Sequence, residues 1–100
     1  MIADISWWDL ADSGVTVDEL RADLTEERLR DWRHAGGLST KLWLADEEHR
    51  RWGAVMLWTR PPRPDALPPN RARDLIGSAP AHRVRFHVVA AVRGPQDLHR

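Results

Sequence analysis

The chain contains no cysteine. Disulfides, iron–sulfur clusters, thiolate zinc sites and cysteine nucleophiles are therefore excluded. Tyrosine is also missing, so no phenol is available as an acid or hydrogen-bond donor. Net charge is zero, with 15 acidic and 15 basic residues. That removes the usual electrostatic reason to expect nucleic acid or an anionic membrane as partner. No stretch approaches the roughly 20 apolar residues of a transmembrane helix. The opening MIADISWWDL has no basic segment and no long apolar run, so no signal peptide and a soluble cytoplasmic protein are expected. The 5 histidines form neither H-x-x-x-H nor H-x-H, and no metal site is expected. His82 and His87 lie on or near one strand at odd spacing, which sends them to opposite faces. The pair Gly36-Gly37 follows a helix instead of opening one, unlike a phosphate-binding loop. There is no G-x-S-x-G.

What remains is an ordinary globular composition, with 42% hydrophobic and 30% charged residues in 100. A chain of that length supports one core, so residues 1–100 are read as a single domain. Two biases stand out. There are 6 tryptophans against one phenylalanine, and every basic residue except Lys41 is arginine. Charge is also uneven. Residues 1–31 hold nine carboxylates and three arginines, and residues 60–100 hold eight arginines and three carboxylates. The two halves either attract each other, within a chain or across a dimer, or form solvated faces of different sign.

Periodicity predicts the elements. Ile2 to Trp8 reads as a strand, with Ala3, Ile5 and Trp7 on one face and Asp4, Ser6 and Trp8 on the other. Asp12-Ser13-Gly14 breaks the chain. Thr16-Val17-Asp18-Glu19 matches a capping box, and a helix with Val17, Leu20 and Leu24 on one stripe follows. The signal restarts at Thr25-Glu26-Glu27, giving one helix kinked near Thr25 or two short helices, ended by Gly36-Gly37. Leu38–Ala45 and Arg51–Thr59 read as strands of a hairpin, with Asp46-Glu47-Glu48-His49 as its loop. That loop pairs Ala45 with Arg50 and Trp43 with Trp52. One face then carries Lys41, Trp43, Trp52, Ala54, Met56 and Trp58. The other carries Leu42, Leu44, Gly53, Val55 and Leu57.

Residues 60–69 contain five prolines, which forbid a regular helix or central strand. The segment is a linker or an ordered flap. Asn70 to Ile76 reads as a short helix with Asn70 as N-cap and Gly77 after its end. Val84 to Val92 reads as the last strand, and residues 94–100 as a polar tail. The order is β-α-β-β-α-β, the ferredoxin-like unit: an α+β fold with a four-stranded antiparallel sheet and helices on one face. Both faces of the hairpin are apolar. A second copy of the chain is the natural cover for the other face, so a homodimer is expected.

Lys41-Leu42-Trp43-Leu44, the polar turn and Arg51-Trp52-Gly53-Ala54-Val55-Met56-Leu57-Trp58 resemble the hairpin of the YdhR-like proteins, which are mostly named monooxygenases by analogy. These belong to the dimeric α+β-barrel superfamily, with the antibiotic-biosynthesis monooxygenases. The resemblance extends to Gly36-Gly37-Leu38 and to Asp74-Leu75-Ile76-Gly77. As an order of elements it spans nearly the whole chain. In sequence detail it rests on K-x-W and W-G-x-x-x-L-W. It implies a barrel closed by two subunits, with a cavity between sheet and helices in each. It also implies oxygenation of aromatic polyketides without metal or flavin, although other members of the superfamily degrade haem, remove chlorine or rearrange lactones. The prolines of residues 60–69 depart from the family, which has a fuller helix there. So does the lack of tyrosine.

The residues suggest one chemistry. His87, among apolar neighbours, suits a general base near neutral pH, with Asp4 as its orienting partner; otherwise it is structural. Lys41 would steady an enolate or oxyanion, or lose its proton by desolvation; otherwise it snorkels between indoles. Trp7, Trp8, Trp43, Trp52 and Trp58, with Met56, would wall a pocket for a flat aromatic guest or fill a dimer core. Trp32 reads as helix packing. Arg85 would bind a carboxylate or phenolate, or form a surface ion pair. The expectation is a cofactor-independent, monooxygenase-like enzyme on a small hydrophobic aromatic, polyketide-type substrate. A cyclase or isomerase of the same substrate class, or a non-catalytic aromatic-ligand binder, fits the same parts. A dimeric scaffold without a pocket is the remaining alternative.

Overall fold

Alternation along the first strand decides how the sheet is clad. In the computed structural model, which describes residues 1–95, β1 (Ile2–Asp9) buries Asp4, Ser6 and Trp8 and leaves Ala3, Ile5 and Trp7 half-buried on the opposite face. The chain continues through α1 (Val17–Asp23), α2 (Glu26–Arg33), β2 (Leu38–Asp46), β3 (Arg51–Trp58), α3 (Arg71–Ile76) and β4 (His82–His87). The sheet order is β2-β3-β1-β4, antiparallel throughout, which is the ferredoxin-like arrangement. Helices cover the face of Asp4, Ser6 and Trp8. The core there is Trp8, Leu10, Val17, Leu20 and Trp52, with Leu24, Trp43, Ala72 and Ile76 packed against it.

Two short helices replace a kinked one, because each has its own cap. The Thr16 hydroxyl accepts the Glu19 N–H at 3.1 Å, and the Thr25 hydroxyl accepts the Arg28 N–H at 3.4 Å. At the end of α3, Gly77 takes over as the cap that sequence reading assigns to it. Gly37, at φ 84°, turns the chain from α2 into β2. A side chain there would be strained and would meet Arg60 Cγ at 2.9 Å.

Two expectations need correction. Asp46 belongs to β2, and the hairpin turn is Glu47–Arg50, with Arg50 at φ 53°. The Asp46 carboxylate accepts the His49 N–H at 3.1 Å, which steadies the shifted turn. Pairing therefore runs Asp46–Arg51, Ala45–Trp52, Trp43–Ala54 and Lys41–Met56. The slip is two residues, so by the period of a strand every side chain keeps its expected face. The last strand is His82–His87, not Val84–Val92. Its partner β1 begins at Ile2, opposite His87, and the Val88 N–H makes the last bond, to the Met1 carbonyl at 2.9 Å. Past that point the sheet offers β4 no neighbour, and Val89 and Val92 stand in solvent. Of the expected polar tail, Gly94 and Pro95 are described and residues 96–100 lie outside the described residues.

The halves of opposite charge meet within the chain. Asp4 pairs with Arg85, and Asp23 with Arg71. Opposite the helices, the sheet exposes an apolar face that includes Leu42, Leu44, Val84 and Phe86.

Trp58 is wholly buried, and its indole N–H has no hydrogen-bond partner among the described residues. An unpaired buried donor costs about 1–3 kcal/mol, whereas the ring itself contributes packing. Trp58→Phe is therefore expected to change stability by less than about 1.5 kcal/mol. Trp58→Ala should lose about 3–5 kcal/mol. Urea unfolding of both variants checks the contrast; equal losses would show that the N–H is bonded after all.

Candidate ligand cleft

On the helix-clad face, between β1–β3 and the helices, lies a cleft of ≈ 150 Å³. Its walls are indole: Trp8, Trp43 and Trp52 from the sheet and Trp32 from α2. Met56 lies on its sheet side. Leu67, Pro68 and Pro69, the end of the proline-rich segment, line one flank. An apolar cavity of about 150 Å³ is the size that admits a benzene-like ring. The cleft therefore has room for one such ring and is open on one side.

Lys41 projects from β2 beside this space. Its Nζ lies 3.2 Å from the centre of the Trp32 ring and 4.8 Å from that of Trp43. Strand pairing sets it opposite Met56 on the helix-clad face. Loss of water disfavours the ammonium and lowers the lysine pKa from 10.5 to about 7, and no charged neighbour contributes. The indole faces pull the other way, by up to about 2 kcal/mol when desolvated, and partly offset that loss.

Charge at the cleft is organised around Asp23. Its carboxylate lies 3.2 Å from Arg28 Nε and 3.2 Å from Arg71 Nη2. The Arg71 guanidinium is held above its ordinary value by that hydrogen bond. Arg83 and Ser6, opposite each other on β4 and β1, also line the cleft, as does Asp31. Three arginines against two carboxylates leave an excess of positive charge before Lys41 is counted. Such a lining favours a guest with a carboxylate, a phenolate or another developing anion.

The expected site residues divide cleanly. Lys41, Trp8, Trp43, Trp52 and Met56 come together in this cleft. Trp7 does not: it is on the opposite face, stacked on His82 with ring centres 4.7 Å apart. Trp58 is buried outside the lining. Asp4 does not orient His87, because Arg85 Nε donates to its Oδ1 at 2.7 Å and Nη2 donates to Oδ2 at 3.2 Å. That bond also holds the Arg85 guanidinium above its ordinary value and occupies the group expected to meet a ligand. His87 sits at the end of β4 opposite Ile2, exposed and away from the cleft lining.

Sequence reading missed Trp32, Arg28, Arg71, Arg83 and Asp23. A signal existed for three of them. Arg28 and Trp32 are four apart on α2, which places them on one helix face. Arg83 shares the parity of Arg85 and so the helix-clad face. Nothing local marked Asp23 or Arg71, which meet across 48 residues.

Among the described residues no group of three histidine, cysteine or carboxylate side chains is placed to hold a metal ion. Nor, among the described residues, is any helix long and apolar enough to cross a membrane. No family model matches the chain, and no curated protein matches it.

Proposed function

We propose that this chain is a small cofactor-independent enzyme, monooxygenase-like in the sense of the YdhR-like group, that takes a single-ring ionisable aromatic in the cleft and removes a proton from it. The observation that carries this reading is the Lys41 amine, desolvated between Trp32 and Trp43 beside a ring-sized space. An amine whose pKa falls to about 7 is about half unprotonated at neutral pH and so serves as a base there. The arginine-rich lining stabilises the anion that proton removal creates. Lys41 takes the role that sequence reading gave to His87.

The ring-sized cleft narrows the expected polyketide-type substrate to a one-ring compound, or to one ring of a larger molecule. A homodimer belongs to the same proposal. The apolar open face of the sheet, with Phe86 57% exposed and Leu42 52%, fits a second copy closing a barrel. Native mass spectrometry gives the subunit count directly, and a monomer would end the barrel reading.

Phenylnitromethane is a suitable probe, because it ionises at its benzylic carbon and cannot condense with an amine. Exchange of that proton in heavy water, followed by NMR, is expected to be saturable, inhibited by benzoate and about 10²-fold or more faster than with Lys41→Met. Equal rates for the two proteins would remove Lys41 as the base. Oxygen uptake coupled to exchange separates an oxygenase from a cyclase or isomerase. Benzoate quenching of indole fluorescence without any exchange would leave the non-catalytic binder.

A further inference from the structure

We infer that Lys41 is also a nucleophile, and that the cleft holds a carbonyl compound covalently: an aromatic aldehyde, best one bearing an acidic substituent, condenses with its ε-amine to a Schiff base. The inference rests on the cleft reading above and extends it by naming a carbonyl as the reacting group. Four observations converge. Lys41 is the only lysine in the chain. It makes no ion pair or hydrogen bond among the described residues, whereas Arg28 and Arg71 beside the cleft are both engaged by Asp23. Its amine is fixed between two indole faces instead of swinging in water. And it borders two spaces at once, the ≈ 150 Å³ cleft and a more open groove of ≈ 310 Å³ on the other side of Trp32 and Trp43.

Each feature serves the chemistry. Condensation needs an unprotonated amine, and burial supplies one near neutral pH. The charged groups facing this region are Arg28, Asp31 and Arg33 from α2, Asp23 from α1, Arg71 from α3 and Arg83 from β4. None of them pairs with the amine or shifts its titration, which burial alone lowers. The indoles hold the aryl ring flat, and an arginine meets the acid group.

The step balances without any further reagent. The Nζ lone pair attacks the carbonyl carbon, a C–N bond forms, and the carbonyl π pair moves to oxygen, which takes a proton. The carbinolamine then loses that oxygen as water, Nζ gives up its two hydrogens in all, and a C=N bond remains. Amine and aldehyde become imine and water. Water at the open side of the cleft carries the protons.

The chain has only two aliphatic amines, Lys41 and the Met1 α-amine, so the test is direct. The intact protein is treated with para-carboxybenzaldehyde and cyanoborohydride at pH 7, and adducts are located by intact mass and peptide mapping. Lys41 is expected to be modified at least tenfold faster than in the urea-unfolded chain, and benzoate is expected to slow Lys41 but not Met1. Lys41→Arg should leave only the Met1 adduct. Benzoate that quenches indole fluorescence while Lys41 labels no faster than in urea overturns the imine and leaves the cleft reading standing. Fast labelling that benzoate does not slow also overturns the proposal, since the reaction then lies outside the cleft. Absence of both quenching and labelling removes the cleft reading with it.

Discussion

Lys41→Met is expected to stabilise the protein at pH 6 by about 2–4 kcal/mol and at pH 10 by about 1 kcal/mol or less. The folded state disfavours the ammonium, so the lysine pKa is lowered from 10.5 to about 7. Below about 7 both folded and unfolded chains carry the proton, and the full desolvation penalty weighs on the fold. Between about 7 and 10.5 the unfolded chain holds a proton that the native one lacks. Stability therefore rises with pH across that window. Above it both forms are neutral and the penalty is gone. The magnitude is set by the size of the pKa change, less the attraction of the two indole faces. Methionine fills a similar volume and cannot titrate. Urea midpoints of both proteins from pH 6 to 10 make the measurement, and the difference between them isolates Lys41 from every shared group. Parallel profiles would show that water reaches the amine.

Gly53→Ala should be the most damaging single methyl in the sheet, costing about 3 kcal/mol or more. In an ordinary strand, alanine replaces glycine with a gain, because the unfolded chain loses freedom. Here the new Cβ would press into the Ser6 carbonyl oxygen and lie 2.7 Å from Trp7 Cβ and 3.1 Å from Trp7 Cα. Those atoms belong to the neighbouring central strand and not to a side-chain end that can swing away. Relief requires β1 and β3 to separate where Trp7 faces Gly53 and Trp8 faces Trp52. Trp8 and Trp52 belong to the core and wall the cleft, so the variant should also lose benzoate binding. Thermal unfolding tests the first expectation and indole fluorescence the second. A variant as stable as the parent would mean that the strands yield at this point without loss.

The two experiments read different layers of one design. Gly53 lets the central strands approach closely, which sets the spacing of Trp8, Trp43 and Trp52. Of those indoles Trp43, with Trp32, then strips water from Lys41. The reactivity proposed for Lys41 thus depends on a glycine that makes no contact with the amine.

The chain's local patterns determined its elements and their faces. Caps at Thr16, Thr25 and Asn70 and the alternation along β1 and the hairpin are properties of residues close in sequence, and they survive any tertiary detail. The parity of Lys41, Trp43, Trp52 and Met56 held even though the hairpin register moved by two, because a strand repeats every two residues. The order of elements then left the ferredoxin-like sheet as the arrangement that pairs them. Tertiary structure alone decided what each polar group meets. Asp4 found Arg85, 81 residues away, and not His87, because strand pairing set Arg85 directly opposite. His87 stands at the end of β4, exposed and outside the cleft lining. Asp23 gathered Arg28 and Arg71 from two different helices. The Lys41 amine lost basicity for the same reason: Trp32, nine residues away on a helix whose docking no local pattern encodes, lies against it. Charge pairing and desolvation depend on distances between segments, and those distances exist only once the chain has folded.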